Sequence, residues 1–210
     1  MTKNSKGFTL IELLVVIAIV AVLAVVVILT LNPAELLRQA RDSNRVSDAA
    51  TLKSAMALYL ADVTSPSIGN VGDTDPVIAG GPWCWQSATS ATTSVGCGLF
   101  TGSSSAYLAS SARASGTAAR NIDGTGWIPV NFSKISSKSP IANLPVDPVN
   151  NATYFYGYAA TGSATVAPTY KIMLNGMEST KYGLNGSNDV VSTDGGLVNS
   201  KLEIGSNMNL

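Results

Sequence analysis

Glu12 is the only charge in the 24 residues from Phe8 to Leu31, an otherwise apolar run. A carboxylate in such a setting is costly, so it needs a partner or a task. The chemistry it can do there is ionic: an acid that neutralises a cation where both are expensive to bury. Other chemistries are narrowed by what the chain lacks. It contains no histidine, so there is no imidazole to serve as general base, proton shuttle or zinc ligand. Serines are plentiful, yet none sits in a recognisable nucleophile context, and no catalytic residue is assigned. The expectation is that the chain is not an enzyme. Cys84 and Cys97 are the only cysteines, set among Trp83, Trp85 and Gly96. Two thiols without histidine are too few for a metal site, and a local disulfide is expected over two buried thiols, with a closure gain of about 3 kcal/mol. Asn185-Gly186-Ser187-Asn188-Asp189 and Asp194-Gly195-Gly196 place oxygen donors on flexible turns. Ordinary Asx turns are the expectation there, with no cofactor; calcium held by Asp189 and Asp194 is the alternative.

These residues need elements to position them. The chain has 210 residues, 13 Lys+Arg against 13 Asp+Glu, and 46% apolar content. Only 12% is charged, against about 25% in ordinary soluble proteins. Part of the deficit lies in the apolar run itself. As a helix, 24 residues rise about 36 Å at 1.5 Å each, enough for a hydrocarbon core of about 30 Å. The run is longer than the apolar region of a secretory signal, and it continues into a polar helix-favouring stretch, so it reads as a retained anchor. Lys3 and Lys6 precede it, while Arg38, Arg41 and Arg45 follow, leaving orientation undecided by charge alone. Asn32-Pro33-Ala34-Glu35 marks either the capped start of a second helix or a kink in one long helix. From Ala34 to Ala61 there is no Gly or Pro, and Val46, Ala49, Leu52, Met56 and Tyr59 recur at steps of three or four. That spacing predicts a core stripe facing a β-sheet. The charges at Arg38/Asp42 and Arg41/Arg45/Asp48 are expected on a solvated face or in weak subunit contacts.

From Asp62 to Leu210 the composition turns to Gly, Ser, Thr, Asn and Pro, and an extracytoplasmic domain is expected. Gln86 to Arg120 reads as a surface loop, a short helix or a partly disordered stretch, anchored at Tyr107 and Leu108. Runs 126–132, 154–158, 170–174 and 201–204 are aromatic and β-branched between turn residues, which predicts an antiparallel sheet. Leu144-Pro145-Val146-Asp147-Pro148 reads as a rigid turn, because two prolines hold the residues before them extended and Asp147 can accept from nearby amides. This domain holds seven Lys+Arg against nine Asp+Glu, a net of −2. That discourages nucleic-acid binding as a default, although Arg113, Arg120, Lys134 and Lys138 could form a local basic patch.

The stretch Lys3-Asn4-Ser5-Lys6-Gly7-Phe8-Thr9-Leu10-Ile11-Glu12, running straight into the apolar helix, resembles the class III signal of type IV pilins and type II secretion pseudopilins. The Leu-Pro-x-Asp-Pro turn before a tyrosine-rich strand resembles a connection in many pseudopilin-like proteins. The first resemblance implies an α+β pilin-like fold, with a long N-terminal helix packed on an antiparallel β-sheet head. It implies a leader over 1–7, a membrane and filament-core helix over 8–31, its amphipathic continuation over 32–61, and a head over 62–210. It also implies cutting between Gly7 and Phe8 by a prepilin peptidase, with methylation of the new amine. In assembly, the Phe8 amine would pair with Glu12 of a neighbouring subunit. The implied partners are that peptidase, identical or homologous subunits, an assembly platform, and the lipid bilayer before assembly. The implied location is the cytoplasmic membrane with the head outside, then a surface filament. The function expected is that of a structural subunit of a pilus or pseudopilus; a minor pilin, an adhesive membrane-anchored module or a DNA-uptake component is the alternative.

Overall fold

A computed structural model describes residues 7–69, 83–88, 109–112, 119–163 and 166–208. Residues 1–38 and 39–210 form two compact units. In the first, α1 (Leu10–Leu31) is apolar on every side and buries none of its residues. It starts at Thr9, whose extended backbone and side-chain oxygen cap the helix. It ends at Asn32, which adopts the left-handed conformation with φ 40°. Asparagine is one of the few non-glycine residues that takes this conformation at low cost. The Asn32 carbonyl and side-chain oxygens then meet the Glu35 amide, and α2 (Pro33–Asp62) begins with proline at its first position. The helical stretch Leu10–Asp62 is thus interrupted at Asn32, and the sequence-level choice resolves to two helices sharing one cap.

In the second unit the stripe on α2 is buried as its spacing predicts, with Ala49, Leu52, Met56 and Tyr59 inside and Val46 packed against them. The facing sheet has five strands in the order β2-β1-β3-β4-β5. These are β1 (Trp83–Gln86), β2 (Ala109–Ala112), β3 (Tyr156–Ser163), β4 (Val166–Leu174) and β5 (Leu202–Gly205). Strands β1, β3, β4 and β5 are antiparallel neighbours, while β2 runs parallel to β1 at the edge. The α+β class and pilin-like arrangement follow. Alternation along β4 sends Tyr170, Ile172 and Leu174 into the helix-facing core. Its other face places Met173 in a small cluster with Cys84, Ala88, Phe155 and Ala159, so the sheet is buried on both sides.

Two expectations are corrected. The run 126–132 is not a ladder strand: Trp127, Ile128 and Val130 are buried in irregular backbone, and Phe132 opens a 3₁₀ turn over Phe132–Lys134. Pro129 cannot donate to a ladder, so apolar content there serves the core without pairing. Strand β3 begins at Tyr156 rather than Tyr154, because Asn151 turns the chain by accepting from the Thr153 and Tyr154 amides. Between Gln86 and Arg120, Tyr107 and Leu108 lie outside the described residues, and the segment Ala109–Ala112 is strand β2.

Candidate functional site

The processing junction expected at Gly7 and Phe8 falls at the start of the first unit. Gly7 and Phe8 lie in non-helical, exposed backbone immediately before the Thr9 cap, with Phe8 86% exposed and open space around Gly7. A peptide bond there lies outside the helix and is reachable, whereas one inside α1 would have to be unwound first. Three residues into the helix, Glu12 closes a capping box. Its Oε2 accepts from the Thr9 amide and the Thr9 hydroxyl, each at 2.8 Å, and its own amide donates to Thr9 Oγ1 at 3.3 Å. One helix-end donor and one hydroxyl are satisfied by the carboxylate that looked anomalous in the sequence. Oε1 accepts from none of the described residues. The box therefore fixes the side chain while one carboxylate oxygen remains open to a further donor. Thr30, the other polar residue of α1, donates back to the Val26 and Val27 carbonyls, so its hydroxyl is also satisfied inside the helix.

In the second unit the chemistry gathers where the sequence was read as solvated. Asp42 and Arg45 are both fully buried, which corrects that expectation. The Arg45 guanidinium grips Asp147 with two bonds, Nε to Oδ2 at 2.6 Å and NH2 to Oδ1 at 3.0 Å. Its remaining arms reach Asp42 at 2.6 Å and Glu178 at 2.7 Å, and it lies 5.0 Å from the centre of the Tyr154 ring. Asp42 in turn accepts from the amides of Glu178 and Ser179, and Arg41 pairs with Glu178. Burial opposes the Arg45 charge, but the bonds to Asp147 and Glu178 outweigh it and hold the group above its ordinary pKa. Glu178 is held below the usual carboxylate range, first by its bond to Arg41.

Asp147 is the centre of the Leu-Pro-x-Asp-Pro turn and also accepts from the Val149 and Asn150 amides. The rigid turn is present as read, but its role as the counter-ion of Arg45 was not legible, because α2 and this turn are 102 positions apart. Nearby, the Tyr156 hydroxyl donates to Asp48 at 2.8 Å, and burial raises the pKa of both.

The calcium candidates are engaged locally. Asp189 accepts from the amides of Asn185, Val191 and Ser192 and from the Ser192 hydroxyl, and these bonds, Ser192 first, lower it to about 2. Asp194 accepts from the Gly196 and Glu203 amides. Among the described residues no three His, Cys, Asp or Glu side chains are grouped so as to hold a metal ion. On the far sheet face, Lys171 pairs with Glu203 at 2.7 Å with both side chains buried. Cys84 is buried, and no free cysteine occurs among the described residues. Its expected partner Cys97 lies outside them, as does Arg113. Of the basic patch, the Arg120 Nε donates to the Leu144 carbonyl, while Lys134 and Lys138 are exposed.

Residues 2–28 match the family model of the prokaryotic N-terminal methylation motif. This motif is the type IV pilin and pseudopilin signal, and the chain carries it at its N-terminal end. The match covers the residues just ahead of α1 and most of α1 itself. No curated protein matches, and no solved structure matches.

Proposed function

We propose that this chain is a structural subunit of a type IV pilus or a type II secretion-like pseudopilus, without catalytic activity of its own. The observation that carries the reading is the methylation motif joined to a helix that is apolar all round and buries nothing within its own chain. Such a surface requires lipid or other copies of itself. Cutting between Gly7 and Phe8 leaves α1 on the mature protein and puts a cationic amine at Phe8. Methylation keeps that charge. The amine then pairs with Glu12 of a neighbouring subunit, through the oxygen that the Thr9 box leaves open. Burial among neighbouring helices replaces burial in lipid, with the head outside the cytoplasmic membrane and Cys84 joined to Cys97. The Asp189 and Asp194 turns are proposed to close without metal.

Intact mass and N-terminal peptide mapping of protein from its native membrane test the reading. A methylated start at Phe8 supports it, and a start at Met1 in cells with active peptidase overturns it. Glu12→Ala is expected to be inserted and cleaved yet to give few filaments; normal filament yield overturns the assembly role of Glu12.

A further inference from the structure

We infer that Asn151 is an acceptor for asparagine-linked glycosylation, which would place a saccharide on the turn entering β3. The acceptor pattern is Asn, any residue except proline, then Ser or Thr, and it acts on surfaces that have left the cytoplasm. Three such triplets fall in the head: Asn131-Phe132-Ser133, Asn151-Ala152-Thr153 and Asn185-Gly186-Ser187. The fold separates them. A transferase must draw the triplet into its own groove, so all three residues have to lie at the surface with the amide nitrogen reachable. A surface turn such as that at Asn151, closed by the Asn151 amide on the Tyr154 carbonyl and by Asn175 Nδ2 on the Thr153 carbonyl, has to open on entry.

The first triplet fails because Phe132 is buried in the main core. The third is tied into a tight turn: Asn185 is left-handed at φ 61°, the Gly186 amide donates to the Gly183 carbonyl, and a side chain at Gly186 would strike the Lys181 and Thr180 carbonyls. Asn151, Ala152 and Thr153 are all exposed. The Asn151 Oδ1 accepts from the Thr153 and Tyr154 amides at 2.8 Å each, which fixes the carboxamide and polarises it. Its Nδ2 and the Thr153 hydroxyl bond to none of the described residues, so the two groups an acceptor site must present both face outward. In the transfer, Nδ2 attacks the anomeric carbon of a lipid-phosphate-linked oligosaccharide. The new C–N bond forms as the C–O bond to phosphate breaks, the lipid phosphate leaves, and the amide proton passes to a base on the transferase.

The inference rests on the proposed placement of the head outside the cytoplasm, and one digest separates the two. Trypsin releases residues 139–171, which contain only this triplet, and an N-terminal peptide ending at Arg38 that starts at Phe8 if processed and at Gly7 if not. In protein from the native membrane, peptide 139–171 is expected to carry a saccharide mass located on Asn151. The mass is expected to vanish in Asn151→Gln and Thr153→Ala and to persist in Thr153→Ser, which keeps the hydroxyl. An unmodified wild-type peptide overturns the inference, whichever N-terminus is found. A saccharide that survives Asn151→Gln is bound to a hydroxyl and also overturns it. An N-terminus at Gly7 instead counts against the processing reading alone.

Discussion

Arg45 shows how much one side chain can be asked to hold. It joins α2 to the Asp147 turn and to the Glu178 segment, and its removal would strip Asp42 and Asp147 of their ion-pair partner and leave Glu178 with Arg41 alone. Breaking a buried ion pair by deleting one partner costs about 3–5 kcal/mol. Arg45→Met is expected to lower the stability of the head by that order in chemical denaturation, and Arg45→Lys to recover little, because an ammonium cannot make the two-pronged contact with Asp147. Lys201 gives a test of opposite kind. Burial lowers its pKa to about 8, against the pull of Glu203 and with the push of Lys171. Between about 8 and its ordinary value the unfolded chain binds more protons than the folded one, so its contribution to stability rises with pH across that window. The buried tyrosines act with the opposite sign near and above pH 10, so the comparison that isolates Lys201 is wild type against Lys201→Met between pH 8 and 9.5. The stability difference is expected to narrow as pH rises.

At the scale of elements, the turns decide where chain segments end. Gly126 sits where a Cβ would meet the Asn121 and Ala119 carbonyls and the Leu144 side chain, at the bend that delivers Trp127 to the core. Gly126→Ala is expected to cost about 1–3 kcal/mol, the usual range for forced overpacking, read as a lowered Tm. The elements that were legible in the sequence are those whose periodicity matches their burial. The α2 stripe at Val46, Ala49, Leu52, Met56 and Tyr59 and the Tyr170–Leu174 part of β4 are of this kind, as is the unbroken apolar run of α1. Where burial and pairing part company, the pattern misleads. Trp127 to Phe132 carries strand-like residues, yet Pro129 lacks the donor and the segment fills space instead. The parallel pairing of β1 with β2 depends on a contact across sequence that no local pattern encodes. The burial of Asp42 and Arg45 was hidden for the same reason, since charges on a helix read as solvated until the segment that neutralises them is known. For the candidate site, Gly7, Phe8 and Glu12 were readable as a motif, whereas the Thr9 box that orients the carboxylate needed coordinates.

For the whole molecule, acid should be the sensitive direction. Asp189, lowered to about 2, and Glu178, also lowered, have folded pKa values below their unfolded ones. The stability they contribute is present above the unfolded values and is lost as pH falls through the folded ones. Thermal melting across pH 5 to 2 is expected to show this loss, and Asp189→Asn to flatten part of it. Calcium provides a second measurement on the same turns: melting curves in calcium and in chelator are expected to coincide, and a calcium-dependent rise in Tm would assign Asp189 and Asp194 to a metal.

The buried Lys171 and Glu203 pair has one more consequence. Strand β5 stands at one end of the described sheet with four residues, and Glu203 on it is turned inward to an ion pair. A short terminal strand with an inward charge is a poor template for another chain, because docking a new strand there would disturb the buried Lys171–Glu203 pair. In the proposed filament, subunits meet at high local concentration, where any second mode of self-association competes with the intended one. With β5 an unattractive edge, the proposed assembly through α1 meets less competition from strand addition at that end of the sheet.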